Sequence, residues 1–540
     1  LLAERIEAAG KPVGTPRPAL VPAARTGDTP LSFAQQRLWF LDRLQPGSAF
    51  YNLPAAVRLD GALDVESLRC ALSELLRRHE VLRSTFHDDG NGPVQRVSSV
   101  AEIALELEDL TGLPVEDREA ESRRLADAEA RRPFDLERGP LVRATLLKLE
   151  AQRHVLLLTL HHILADGWSL EVLVREVSAL YGAYTEDKPS PLPELTLQYA
   201  DYAIWQRTWL DGGVRASQLE YWQKQLSRLP PLLEMPTDRP RPPMQSFRGT
   251  TYTTVLPREL VDGIQALAQR EGATSFMVLL AAFQAVLHRY TGQTDFAIGT
   301  DIANRHQMET EGLIGFFVNQ LVLRTRLDGT LSFRELLTRA RETTLEASAH
   351  QDLPFEELVH ALNPERSLAH APLFQLKLTY QDAVALEQVE LPGLLWSRVP
   401  AEAGTTKVDL TLSVTRTPKG LECRTEYSTD LFDERTVRAL MGHLSTLLSA
   451  ALERPETPVR DLPLLGTSER QQLLVVWNRT DAPYAHEQTV HGLFSEAAAR
   501  TPDAVAVYSG DRTLTFGELE RRANQLAHHL RSLGVGPEVR

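Results

Sequence analysis

The chain has 540 residues, of which 43% are apolar and 24% charged, and it carries a formal net charge of −14. That is ordinary composition for a globular protein with a large buried core, and the length corresponds to roughly three or four domains. The acidic balance argues against a nucleic-acid or anionic-membrane partner, since both need a basic face. There are two cysteines, Cys70 and Cys423, far apart and outside any CxxC pattern. Neither a disulfide framework nor a metal site is expected, and a reducing cytoplasm is the expected location. The opening Leu1-Leu2-Ala3-Glu4-Arg5-Ile6-Glu7 is charged and amphipathic, unlike a signal peptide. No apolar run approaches the length of a membrane span.

In chain order, residues 1–10 read as a helix end closed by Gly10. Repeated prolines then predict an extended linker over 11–28, so the chain is expected to be cut from a longer one. From 29 to 465, helical and strand patterns alternate, which predicts an α/β or α+β domain. Val155 to Leu160 is a continuous apolar run, the pattern of a buried strand. Ser169 is a candidate N-cap for the helix that follows. In that helix Leu170, Leu173, Val174, Val177, Leu180, Tyr181 and Tyr184 share one face. The proline-rich stretch Pro236 to Pro243 divides the body into lobes at 29–235 and 236–465. Ser275 to Tyr290 predicts a buried helix and Asp295 to Thr300 a strand. Residues 466–487 read as a linker that includes a helical piece from Ser468 to Trp477. A new pattern starts near Thr489 and fills 488–540.

Chemistry concentrates in His161-His162-Ile163-Leu164-Ala165-Asp166-Gly167-Trp168-Ser169, between the buried strand and its helix. Catalytic groups favour loops anchored by rigid elements. Strand geometry carried through the two histidines would turn them to opposite faces, one packing or orienting and the other reaching a cavity. An imidazole exchanges protons near neutral pH. Asp166 is placed to hold an arginine or the local backbone. Gly167 lets a substrate approach its N–H, which at a helix N-terminus could face an oxyanion. His528-His529 serves as a contrast: it lies in a charged helical stretch with no Asp-Gly behind it, and is read as surface.

This string matches HHxxxDG and resembles the condensation domains of nonribosomal peptide synthetases, in the superfamily that includes chloramphenicol acetyltransferase-like enzymes. Further segments resemble that family's motifs in their usual order: Ser32 to Leu41, Arg78 to Phe86, Tyr199 to Trp205, Ile314 to Asn319, His350 to Glu356, and Arg366-Ser367 through Pro372-Leu373-Phe374. The flanks resemble neighbouring modules. Residues 1–10 look like the last helix of a carrier protein, and 488–540 like the start of an adenylation domain, with Leu514-Thr515-Phe516-Gly517-Glu518-Leu519 as its opening motif. Gly404-Thr405-Thr406-Lys407 lacks the glycine run of a phosphate-binding loop and reads as the approach to a strand.

The resemblance implies two chloramphenicol acetyltransferase-like lobes in a V-shaped pseudo-dimer with a central tunnel. It implies aminolysis of a donor thioester by the amine of an acceptor thioester. Both substrates would ride on 4'-phosphopantetheine arms of upstream donor and downstream acceptor carrier proteins, with no cofactor bound by the chain itself. A monomer with an adjacent adenylation domain is expected. His162, His161, Asp166 and Gly167 form the expected catalytic group. Trp168, Ser169 and Asn319 are the expected tunnel residues. Arg248 and Arg305 are both candidates to pair with Asp166, and the sequence does not choose between them. The competing readings are an epimerisation domain, which usually lacks the Asp-Gly-Trp-Ser continuation, and a non-catalytic recruitment domain of the same fold.

Overall fold

A computed structural model describes residues 17–25, 27–364, 367–381, 388–391, 393–399, 404–482 and 487–539. The expected helix end at 1–10, linker residues 11–16 and Arg366 lie outside the described residues. The chain divides into two compact units between Gly466 and Thr467.

The larger unit is built on two six-stranded mixed sheets. The first runs, edge to edge, through strands Gln388–Leu391, Leu394–Val399, Asn52–Gly61, Arg153–His161, Val142–Glu150 and Leu105–Asp109. The strand Arg153–His161 sits between two partners and is buried from His154 onward, so both of its faces must be apolar. That accounts for the unbroken Val155–Leu160 run. The second sheet runs through Asn319–Arg326, Asp295–Ile302, Leu376–Gln381, Leu410–Thr417, Gly420–Ser428 and Gly249–Leu256. The helix Ser275–Thr291 packs in its core. It starts at a Thr274 cap and stops at Gly292, whose φ of 70° is left-handed and favours glycine. Every residue from Phe276 to Leu287 on this helix is buried, so no polar face is needed.

The chain crosses back over the expected lobe boundary at 236. Strands 388–391 and 394–399 come from the second half, yet they extend the first sheet, with Trp396 registered opposite Leu59. Leu313, Ile314 and Phe317 also come from the second half and sit in the first lobe's hydrophobic cluster. Proline-rich composition marks a break in regular structure. It does not mark where a chain stops returning to a core.

The smaller unit begins with helix Thr467–Gln471, which continues as a wider turn over Gln472–Val476. Thr489 then caps helix Val490–Arg500. A hairpin follows, of strands Val505–Ser509 and Arg512–Thr515. Helix Phe516–Ser532 starts with a reciprocal Thr515–Glu518 cap. His528 and His529 are exposed on that last helix, as expected. No single described helix is long and apolar enough to cross a membrane.

Packing in the second sheet is tight enough to test. A methyl group at Gly299 would lie 2.3 Å from Cε2 of Phe374, a ring only 3% exposed. Overpacking of this kind costs about 1–3 kcal/mol. Gly299→Ala should therefore lower the melting temperature. Adding Phe374→Leu should recover part of the loss, so the two substitutions should be non-additive in a double-mutant cycle.

Candidate active site

The strand Arg153–His161 delivers His161 as its last residue, and a turn carries His162 out of the sheet. The His162 N–H donates to the carbonyl of Tyr51 at 2.7 Å. Its Nδ1 lies 2.8 Å from the carbonyl of Ala165. A carbonyl can only accept, so Nδ1 carries the proton and Nε2 keeps its lone pair. Among the described residues none hydrogen-bonds Nε2. The ring is half-buried and meets Phe316 edge-on at 4.8 Å. Burial first, and the charge of Lys407 second, hold its pKa well below the ordinary 6.5. The imidazole is therefore neutral at pH 7.

His161 turns the other way. It is 2% exposed, and its Nδ1 accepts from the Ile163 N–H at 3.2 Å. Its ring lies edge-on to Tyr51 and Phe134, at 6.3 and 6.1 Å. Burial, with Lys407 adding to it, pulls its pKa to about 3. The expected catalytic share of His161 is corrected accordingly: it packs, and it braces the loop that presents His162.

Asp166 is fully buried at the start of helix Gly167–Tyr184 and spends both oxygens on bonds. Oδ1 accepts from the Ser169 N–H at 2.9 Å and the Ser169 hydroxyl at 2.7 Å, and lies 3.2 Å from Arg305 Nη2. Oδ2 accepts from the Phe317 N–H at 3.0 Å. Asp166 is thus the helix cap, and the expectation that Ser169 caps is corrected. Ser169 sits one turn inside, its hydroxyl shared among Asp166, Arg305 and both backbone groups of Gly315. It is 0% exposed, so it is not a tunnel residue. Arg305 is the arginine partner of Asp166. Its Nη1 donates to the carbonyls of Thr310 and, at 2.7 Å, Leu313, while its guanidinium lies 3.9 Å above the Phe317 ring. Arg248 is corrected out of the site: it pairs with Asp430 at 2.6 Å on the surface.

The other candidates separate in the same way. Gly167 is exposed at the helix N-terminus, and a methyl there would face Gln381 Nε2, on the second lobe, at 4.0 Å. Trp168 is 40% exposed and donates its indole N–H to the Glu311 carbonyl at 3.0 Å, so it clasps the crossing segment. Asn319 is also corrected. Its amide donates to the carbonyls of Gln351 and Leu353 at 2.9 and 2.8 Å, and its oxygen accepts from the Phe355 N–H at 3.0 Å. No donor or acceptor is left over for a substrate.

The outer motifs mostly build the wall behind His162. The Tyr199 hydroxyl donates to the Phe316 carbonyl at 2.6 Å and lies 2.8 Å from Ser32 Oγ. His79 Nδ1 accepts from the Ile314 N–H at 3.3 Å, and Gln35 donates to the Ile163 carbonyl at 3.3 Å. These bonds fix the segment Glu311–Phe317 under the first lobe and set Phe316 against the imidazole. Sequence reasoning missed the charged residues opposite. Arg37 pairs with Glu356 across the lobes at 2.8 Å, and Lys377 with Asp301 at 2.7 Å. Lys407 is solvent-accessible, yet protein crowds it closely enough that desolvation, with Lys377 adding to it, lowers its pKa to about 8. The signal was present: a lysine immediately before the buried run Val408-Asp409-Leu410 is an uncommon neighbour for a core strand.

With this geometry established, comparisons with known proteins give the family. The family model described as Condensation domain matches residues 25–474. The chain belongs to the condensation-domain family. The model for AMP-binding enzymes matches 494–540, so the condensation domain is followed by the start of an adenylation-type domain. A linear gramicidin synthase component from Brevibacillus parabrevis is 49% identical over 96% of the chain. Phosphinothricin tripeptide synthetase PhsC of Streptomyces viridochromogenes is 42% identical over 95%. The chain spans 10% and 47% of those two proteins' lengths. Among solved structures, the X-domain in its complex with OxyB from teicoplanin biosynthesis is 32% identical, with a TM-score of 0.76 over 84% of this chain and 99% of that one. The four-domain nonribosomal peptide synthetase AB3403 shares the fold, with a TM-score of 0.83 over 95% of this chain and 40% of that one, at 21% identity.

The two arginine candidates should behave differently. Removing one partner of a buried ion pair costs about 3–5 kcal/mol, whereas an exposed pair contributes about 0–1 kcal/mol. Arg305→Met should lower urea-unfolding stability by the larger amount and Arg248→Met by the smaller. A second test concerns Gly315, where a methyl would lie 1.9 Å from Cδ2 of Tyr199. Gly315→Ala should displace the crossing segment and depress both stability and activity, read by thermal unfolding and product mass.

Proposed function

We propose that this condensation domain joins a donor acyl or peptidyl thioester to the amine of an acceptor aminoacyl thioester, with both chains meeting at His162 between the lobes. The observation that carries this is the free Nε2 of a neutral imidazole, oriented by the Nδ1–H···Ala165 bond. The substrates ride on phosphopantetheine arms of separate carrier proteins, which approach from opposite sides of the V. The family forms amide bonds, and the intact HHxxxDG string supports the same chemistry here. We also place the chain in the cytoplasm, as a monomeric unit within a longer synthetase.

The depressed imidazole pKa refines the mechanism. An amine of pKa about 8 is already partly neutral at pH 7. An imidazole far weaker than that amine cannot strip its ammonium form. It can accept a hydrogen bond from the neutral amine and aim the nitrogen lone pair at the thioester carbon. As the N–C bond forms, the attacking nitrogen becomes acidic, and Nε2 then takes its proton and passes it to the departing thiolate. Bringing the two thioesters together supplies on the order of 7–11 kcal/mol in favourable cases, and a positioned base typically about 10²–10⁴-fold in rate. The Gly167 N–H, at an open helix terminus, adds a donor near the carbonyl oxygen.

A second reading has one observation in its favour. The X-domain relative is solved in complex with another protein, OxyB. A recruitment role predicts binding without product, so the two readings separate in a single assay. With both carriers loaded, wild type should transfer the donor to the acceptor carrier, seen as a mass gain. His162→Ala should cut the single-turnover rate by about 10²–10⁴-fold. The imidazole must be neutral to act, and its pKa lies well below 6.5. Its contribution should therefore persist as pH falls through 6.5, and the wild-type rate profile should show no histidine break there. An inflection at pH 6.5 that disappears in His162→Ala would overturn the neutral-imidazole assignment.

A further inference from the structure

Lys407 differs from the cations around it. Arg37 has Glu356 at 2.8 Å, Lys377 has Asp301 at 2.7 Å, and Arg305 has Asp166 at 3.2 Å. Among the described residues, none forms an ion pair or hydrogen bond with Lys407 Nζ. That atom lies 5.3 Å from the ring centroid of Tyr51, the residue whose carbonyl holds the His162 N–H at 2.7 Å. Lys407 comes from the second lobe, just ahead of strand Leu410–Thr417, while Tyr51 and His162 belong to the first. Lys407 and His162 are thus linked through Tyr51, and the lysine's charge is among the causes that hold the imidazole's pKa down. The charged and titratable groups around Lys407 are Lys377, Glu426, Asp301 and Arg37 on its own side and across from it, with Tyr51, His161 and His162 on the histidine side.

Lys407 is solvent-exposed, and among the described residues its ammonium has no counter-ion. Its charge is therefore available to a negative charge that arrives beside it. In the reaction proposed above, negative charge develops first on the donor carbonyl oxygen and then on the departing thiolate. We infer that the Lys407 ammonium is a catalytic group that faces and stabilises this oxyanion; the inference rests on the amide-forming reading and adds a residue to it. The acceptor nitrogen forms its bond to the carbonyl carbon, and the C=O π pair moves onto oxygen opposite Nζ. His162 Nε2 takes a proton from the attacking nitrogen. The oxygen pair then re-forms the carbonyl, the C–S bond breaks, and the imidazolium proton goes to the thiolate. Lys407 stays protonated throughout, and nothing is oxidised or reduced.

The test is single-turnover transfer between loaded carriers, with wild type, Lys407→Met, Lys407→Arg and His162→Ala compared over pH 6 to 10, and thermal unfolding as a folding control. Loss of one oxyanion-stabilising donor costs on the order of 10²–10³-fold, so Lys407→Met should lower kcat by about that factor with KM for both carriers nearly unchanged. The ammonium is the active form and its pKa is about 8. The neutral amine accumulates over the same range in which this ammonium is lost, so the wild-type rate should peak near pH 8 and decline above it. A guanidinium keeps its charge far above that pH, so Lys407→Arg should retain much of the activity and lose the alkaline decline. A lysine with only a structural role would not move this limb. A folded Lys407→Met with wild-type kcat, or an alkaline limb unchanged in Lys407→Arg, sinks the inference while leaving amide formation standing. A wild type that yields no amide sinks the underlying reading, and this inference with it.

Discussion

A carboxylate with no access to water must have every lone pair occupied, or it destabilises the fold that encloses it. Asp166 meets that demand with groups drawn from separate parts of the chain: the first turn of its own helix, the guanidinium of Arg305, and the backbone of Phe317. One ion pair therefore fixes where a helix begins, where an arginine stem lies, and where a segment of the second lobe crosses under the first. His162 takes its position from those choices. Its backbone is held by Tyr51, its Nδ1 by Ala165 just before Asp166, and its ring by Phe316 just before Phe317. The string HHxxxDG looks catalytic throughout. In three dimensions His162 keeps an Nε2 with no partner among the described residues, and most of the others hold that residue in place.

Much of the fold was legible because the signals were local. The apolar run Val155–Leu160, the seven-residue face from Leu170 to Tyr184, and the helix from Ser275 all report burial directly through side-chain period. The open end of the site was legible as well, since a glycine after a buried aspartate at a helix start leaves backbone exposed. What failed was non-local. Arg248 and Arg305 look alike in sequence, and only the folded chain shows one on the surface beside Asp430 and the other sealed beside Asp166. Asn319 reads as a polar group near a motif, but the turn before helix Phe355–Leu362 consumes its amide. Lys407 was passed over because its surroundings were tested against a phosphate loop. The role inferred for it depends on its placement by Tyr51 and His162, more than 240 positions upstream in a 540-residue chain.

The electrostatics of the space between the lobes follow a simple division. Charges that hold the lobes together are neutralised locally, as with Arg37 and Glu356. Among the described residues two groups are left incomplete: His162, a neutral ring with a free Nε2 lone pair, and Lys407, a cation without an anion. Incomplete groups in a crowded, partly dry setting are poised to act on whatever enters, because little rearrangement is needed when it does.

The loan of strands 388–391 and 394–399 to the first sheet has a consequence for anyone who would cut or recombine such domains. Removing the second half at the proline-rich break would strip a neighbour from strand Asn52–Gly61 and bare its row of amides and carbonyls. An unpaired sheet margin of that kind invites self-association. Grafts that exchange half a domain must therefore carry the returning ribbon along with the half that receives it.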